Sequence, residues 1–208
     1  MAAALSHPGD SGRICAAGAR VFVQEAIYGE VAERITRIAA DPKVGDLFEP
    51  ATKRGPVISR TPLDRVTSHV DAGGEGGATL LAGGTPVEGP GFFIGPIVFS
   101  GVAQPMTIAR DEIPGPVASL IPFKDEGDAI PQASDSTDGP AAAVRTRAVS
   151  RAHQVAKATK AGRTWVDTFG ETDPAMPFGG FRQSGFGRES GAGSVLAHAE
   201  SQSIQVRL

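Results

Sequence analysis

The chain has one cysteine and no asparagine in 208 residues. A single thiol excludes an internal disulfide, which suits a reducing compartment, and a cytoplasmic location is expected. Chemistry that needs an Asn amide finds no donor within these residues. Histidine is scarce too. The four (His7, His69, His153 and His198) are scattered, without metal-ligand spacing or a link to a Ser or Cys triad, so no metal is expected. No apolar run is long enough to span a bilayer. The opening Met1-Ala2-Ala3-Ala4-Leu5-Ser6-His7-Pro8-Gly9-Asp10 has neither the basic start nor the apolar stretch of a signal peptide. A net charge of −3 points to neither nucleic acid nor a membrane as partner.

Glycine and proline are plentiful at 27 and 16 residues, so loops are many. The length is enough for a substantial core. Arg20–Gln24 reads as a strand. Tyr28–Ala40 reads as a helix, with Val31, Ile35, Ile38 and Ala39 at helical spacing and Asp41-Pro42 as its stop. A second helix is expected from Thr61 as N-cap and Pro62 at the first helical position. It should end in the Gly73–Gly77 run; those glycines follow a helix, which is the wrong place for a phosphate loop. Ala78–Ala82, the extended Phe92–Val102, Val117–Phe123, Ala141–Val144 and Thr164–Phe169 read as strands. Asp125 can cap a helix to Ser134, with Pro131 ending it early or costing about 3 kcal/mol. Ser150–Ala161 is a helix with Gly162 as its stop. Ser203–Leu208 alternates like a strand but has no nearby partner. Strands alternating with helices argue an α/β fold with a mostly parallel sheet flanked by helices.

The lone Cys15 lies in Gly12-Arg13-Ile14-Cys15-Ala16-Ala17-Gly18. By itself it reads as a small core residue, because free cysteine packs like one. Flanking glycines also allow a sharp turn and close approach of a substrate.

Several segments together resemble the aldehyde dehydrogenase superfamily. They are Gly12-x-x-Cys15-x-Ala17-Gly18-x-Arg20-Val21-Phe22-Val23, then Lys43-Val44-Gly45-Asp46, then Gly55-Pro56-x-Ile58-Ser59. Downstream follow Glu112-Ile113-x-Gly115-Pro116-Val117, Ile121-Pro122-Phe123, and Trp165-Val166. The last is Pro177-Phe178-Gly179-Gly180-Phe181-x-Gln183-Ser184-Gly185-x-Gly187-Arg188-Glu189. They occur in family order over nearly the whole chain. The resemblance implies a catalytic domain over residues 1–190 and a tail with an oligomerisation strand over 191–208. It also implies that most of an upstream NAD-binding domain is missing.

The resemblance further implies roles for single residues. Cys15 matches the nucleophile that attacks the aldehyde and passes through a thioester to the carboxylate. Glu112 matches the carboxylate that takes the nicotinamide ribose hydroxyls, two acceptor oxygens against two donors. Pro114 stands where the family has a Phe against the nicotinamide, so a stacking surface is lost. Arg65 falls where some members have a Lys near the adenosine end, and Phe178 approaches the substrate. The implied cofactor is NAD or NADP, bound with impairment here, and the implied partners are an aldehyde and further copies of the chain. The family's Asn oxyanion donor and general-base Glu lie upstream of the matched stretch, so the isolated chain is expected to be inactive. An alternative is a decayed, non-catalytic paralogue that docks on intact subunits through its C-terminal strand.

Overall fold

The computed structural model describes residues 11–40 and 43–208. The expected loose start and the Asp41-Pro42 helix stop lie outside them. Two compact units follow one another along the chain: the first ends at Ser136, and the second is Thr137–Leu208.

The first unit is built on four strands, β1 (Arg20–Gln24), β2 (Thr79–Ala82), β3 (Ile97–Ser100) and β4 (Val117–Phe123). Their order in the sheet is β1-β4-β3-β2. β4 pairs parallel with both β1 and β3, while β2 joins β3 antiparallel, with a register shift between Leu80 and Ala82. β4 is a run of buried residues from Val117 to Ile121, as a parallel strand covered on both faces requires. Side chains alternate between the faces. Ile97, Phe99, Val117 and Ile121 join one core; Val98, Ala118 and Leu120 join the other.

Helix α1 (Tyr28–Ala40) covers the second of these faces through Ala32, Ile35 and Ala39. The Tyr28 hydroxyl pins its start, donating to the Leu120 carbonyl at 3.0 Å and accepting from the Gly101 amide at 2.9 Å. The expected apolar stripe is narrower than the periodicity suggests, because Ile38 is exposed. Helix α2 (Arg60–Glu75) covers the first face with Leu63 and Val66, joined by Ile108 and Ala109 of the short α3 (Thr107–Arg110). α2 starts before the expected Thr61: Ser59 is the extended N-cap residue. Pro62 then sits inside the first turn, where amides have no intrahelical acceptor, so its missing N–H costs nothing. α2 also runs through Gly73 and Gly74 to Glu75. Gly73 is buried there against the Phe99 ring, so packing outweighs helix propensity.

Helix α4 (Glu126–Ser134) continues past Pro131. Its far end is held from a distance. Arg20 donates to the carbonyls of Gln132, Ala133 and Asp135, and Gln104 donates to Gln132 as well. A guanidinium at a helix C-terminus satisfies the last carbonyls and complements the dipole, which offsets the bond lost at Pro131. At the other end, the Asp125 carboxylate accepts from the Asp128 amide at 3.0 Å, as the cap reading expects.

Asp128 accepts from the Lys124 backbone amide at 3.0 Å and from the Gln132 side chain at 2.7 Å. Those bonds, the Lys124 amide first, hold its carboxyl below the ordinary value of 3.8. A depressed carboxyl contributes stability above its unfolded value and loses it as pH falls through the folded one. The contribution is therefore present above pH 3.8 and lost below it. Asp128→Asn should remove this part of the acid dependence. Urea midpoints of the two chains should differ above pH 3.8 and converge below it; a constant difference would contradict the assignment.

The second unit pairs β5 (Asp138–Gly139) antiparallel with β8 (Phe181–Arg182), and β6 (Ala141–Val144) parallel with β7 (Arg163–Val166). Helix α5 (Val149–Ala158) connects β6 to β7, and α6 (Gly191–Ala197) precedes the tail. α5 stops before Gly162, whose amide instead donates to the Gly139 carbonyl at 3.0 Å. Residues 198–208 form no strand, and Ile204, Val206 and Leu208 are exposed. A strand exists by pairing, and this alternating segment pairs with none of the described strands. Among the described residues no helix is long and apolar enough to cross a membrane.

Candidate active site

Cys15 is exposed and occupies the first central position of a turn closed by the Ala17 amide on the Ile14 carbonyl at 2.8 Å. Its own backbone N–H has no partner among the described residues. The loop is tied down on both sides. Downstream, the Ala19 carbonyl accepts from the Ser119 amide at 2.8 Å and leads directly into β1. Upstream, the buried Ser11 donates from its hydroxyl to the Gly55 carbonyl at 3.2 Å.

Gly12 supplies the closest contact. It has φ +79°, and a Cβ built there would lie 2.2 Å from the Gly115 carbonyl oxygen. Only a glycine lets the two backbones approach this closely. The contact seats the Cys15 loop against the segment that carries Glu112.

That segment is itself held by α2. Gly115 packs on Val66, and Arg65 donates to the Glu112 carbonyl at 3.4 Å. His69, one helical turn on, is buried; its Nδ1–H donates to the Arg65 carbonyl at 2.8 Å. Its Nε2 faces the Asp111 carboxylate at 4.0 Å. Pro114 is the centre of a three-residue turn closed by the Gly115 amide on the Ile113 carbonyl at 2.8 Å. Its locked φ suits that turn, which accounts for a proline there in conformational terms. The Glu112 side chain is exposed and makes no hydrogen bond or ion pair among the described residues.

Cys15 and Glu112 therefore share one end of the sheet, just before the parallel neighbours β1 and β4. Open parallel sheets more often bind ligands beyond the carboxyl ends of their strands. Cys15 and Glu112 lie at the opposite, amino end of β1 and β4.

In the second unit Phe178 is half-buried and paired with Glu189 through reciprocal backbone bonds of 2.7 Å. The Arg163 guanidinium lies 5.0 Å from its ring centroid. A Cβ on Gly162 would lie 1.6 Å from the Gly179 carbonyl oxygen, so β7 and the Phe178 loop meet backbone to backbone. Arg65, Glu112, Pro114 and the Cys15 loop gather in the first unit; Phe178 belongs to the second. Sequence reasoning missed Ser11, His69 and Arg163. Ser11 and His69 carried a usable signal, since a polar residue in a glycine turn or on an apolar stripe needs a partner when buried.

The model of the aldehyde dehydrogenase family matches residues 1–204. An aldehyde dehydrogenase of Davidiella tassiana is 40% identical over 95% of the chain and 40% of its own length. A betaine aldehyde dehydrogenase of Brucella melitensis is 41% identical over 95% of the chain and 42% of its length. Among solved structures, the NAD+ complex of a Bacillus cereus aldehyde dehydrogenase superposes with TM-score 0.85 at 39% identity, covering 88% of the chain and 37% of that protein. A Staphylococcus aureus betaine aldehyde dehydrogenase in complex with NAD+ gives TM-score 0.87 at 32% identity, covering 90% and 38%. The chain thus spans about 40% of the length of the curated relatives it matches.

Proposed function

This chain belongs to the aldehyde dehydrogenase family, and from that premise we propose that it carries the thiol half of an aldehyde-oxidising site, with Cys15 as nucleophile. The observation that supports this most is the Gly12–Gly115 contact, which brings an exposed thiol and an unpaired carboxylate to one end of the sheet. The Cys15 thiolate attacks the carbonyl carbon and a C–S bond forms. The oxygen of the resulting thiohemiacetal takes the free Cys15 N–H. NAD+ is the cofactor named in the relatives' complexes; held here by Glu112, it would supply a hydride acceptor for that carbon. A thioester on Cys15 remains, and water releases the carboxylate and restores the thiol.

Glu112 fits the ribose role, since both its oxygens are open to two hydroxyl donors. Arg65 acts one step back by holding the Glu112 carbonyl. Pro114 offers no flat face for stacking. The 208 residues contain no Asn amide to serve as a second oxyanion donor, and a missing donor lowers rate by about 10²–10³. Steady-state NADH production by this chain is therefore expected to be slower by at least that factor than with both donors in place.

The test is a single-turnover one. Incubation with an activated acyl ester should add one acyl group to the intact chain, mapped to Cys15 by mass spectrometry and removed by hydroxylamine. Cys15→Ser should abolish the adduct, and Glu112→Gln should leave it intact while weakening NAD+ binding. Acylation elsewhere, or undiminished in Cys15→Ser, would falsify the proposal.

A further inference from the structure

His69 lies buried on α2, within the first unit, beside the segment that carries Glu112. Its Nδ1 meets the Arg65 carbonyl at 2.8 Å. A carbonyl oxygen can only accept, so Nδ1 carries a proton there. Nε2 of the neutral ring is then an acceptor. It is buried with no hydrogen-bond partner among the described residues, and the group it faces is the Asp111 carboxylate at 4.0 Å. An ionised carboxylate has nothing to donate. Two acceptors thus confront each other, and a buried polar atom left in that state is an exception in folded proteins. One proton on Nε2 answers both. It makes the ring a cation with a second N–H, opposite a carboxylate that has no other side-chain partner among the described residues.

Among the described residues Asp111 is the only acid at ion-pair distance from the ring. The strands that share the α2 core, β2, β3 and β4, carry no ionisable side chain. On α3, the Arg110 guanidinium is held by Asp135 at 2.9 and 3.4 Å. On α2 itself, Arg65 is turned to the Glu112 carbonyl, and Arg60, Asp64, Asp71 and Glu75 make no ion pair with His69. We propose that His69 is a positioning residue: with a proton on Nε2 it fastens Asp111, and with it the adjoining Glu112, to α2. Arg65 holds the same segment through a backbone carbonyl, independently of pH. The hold by His69 is present where imidazole is charged and is lost as pH rises. Asp111 is more than half exposed, so it keeps its hydration when the ring gives up the proton. Any consequence for NAD+ rests on the ribose role proposed above for Glu112.

The test is amide hydrogen exchange in the full chain. The Asp111 amide donates to the Thr107 carbonyl at 2.9 Å and the Gly115 amide to the Ile113 carbonyl at 2.8 Å, so their protection reports how firmly the segment is held. Relative to amides of α1, that protection should be about tenfold higher at about pH 5.5 than at about pH 8, the size of one hydrogen bond to a charged group. Asp111→Asn offers an N–H to the neutral ring and should remove the pH dependence; its exposed position keeps the fold out of question. His69→Gln, which keeps an N–H at every pH, should protect the segment equally at both. Protection that is the same at both pH values in the parent chain, or that still changes in Asp111→Asn, overturns the proposal. NAD+ affinity, measured by calorimetry, should rise with the protection in the parent chain and stay constant in Asp111→Asn. If the protection changes with pH and the NAD+ affinity does not, the ribose role of Glu112 fails and the hold by His69 stands.

Discussion

Gly12→Ala is expected to lower the urea midpoint of the first unit sharply. The new Cβ would stand 2.2 Å from the Gly115 carbonyl oxygen, 2.6 Å from its carbon and 3.0 Å from the Pro116 nitrogen. All three are backbone atoms, so no side-chain rotation relieves the clash. Gly12 also holds φ +79°, which costs an L-residue about 1–2 kcal/mol. Overpacking adds about 1–3 kcal/mol, giving about 2–5 kcal/mol in all. Against a typical stability of about 5–15 kcal/mol, that is enough to unfold a marginal chain. If the unit survives, the Cys15 loop must lift from the Glu112 segment. Amide exchange at Gly115 should then rise and alkylation of Cys15 should accelerate. A midpoint and an exchange pattern equal to those of the parent chain would show that the contact is not needed.

The second large effect is expected at Gly162→Ala, where the added carbon would lie 1.6 Å from the Gly179 carbonyl oxygen and 2.7 Å from its carbon. The strand and the Phe178 loop are both backbone at that point. One of them must move, at a cost of about 1–3 kcal/mol or more. Moving β7 also strains the parallel ladder Ala141–Arg163 to Val144–Val166. The damage should stay within the second unit. Trp165 emission should report a lower midpoint while amides of β4 keep their protection. Loss of protection in β4, or an unmoved Trp165 transition, would contradict the local origin.

Legibility differed by element for definite reasons. β1, α1 and β4 occur where the pattern puts them, because each shows a one-sided or continuous apolar signal. The α4 helix was legible to Ser134, with Pro131 as its weak point. Its continuation depends on Arg20, 113 positions from the Ala133 carbonyl it holds, and no local window contains both. The tail alternates like a strand, yet it pairs with none of the described strands. Motifs singled out Cys15, Glu112 and Phe178, whereas the Arg163–Phe178 ring contact was not legible, because a lone arginine at the start of a strand carries no signal. Pro114 was legible as a departure but not as the centre of a turn.

The sequence alone determines which groups are on hand: one thiol, no Asn amide, few histidines, and the order of the motifs. Residue identity is a chemical fact and needs no fold. Tertiary structure decided which of these groups meet. The parallel pairing of β1 with β4 brings their leading loops together, and Gly12, without a Cβ, lets the backbones touch. Proximity between segments so far apart in the chain depends on packing, which no local stretch of sequence encodes.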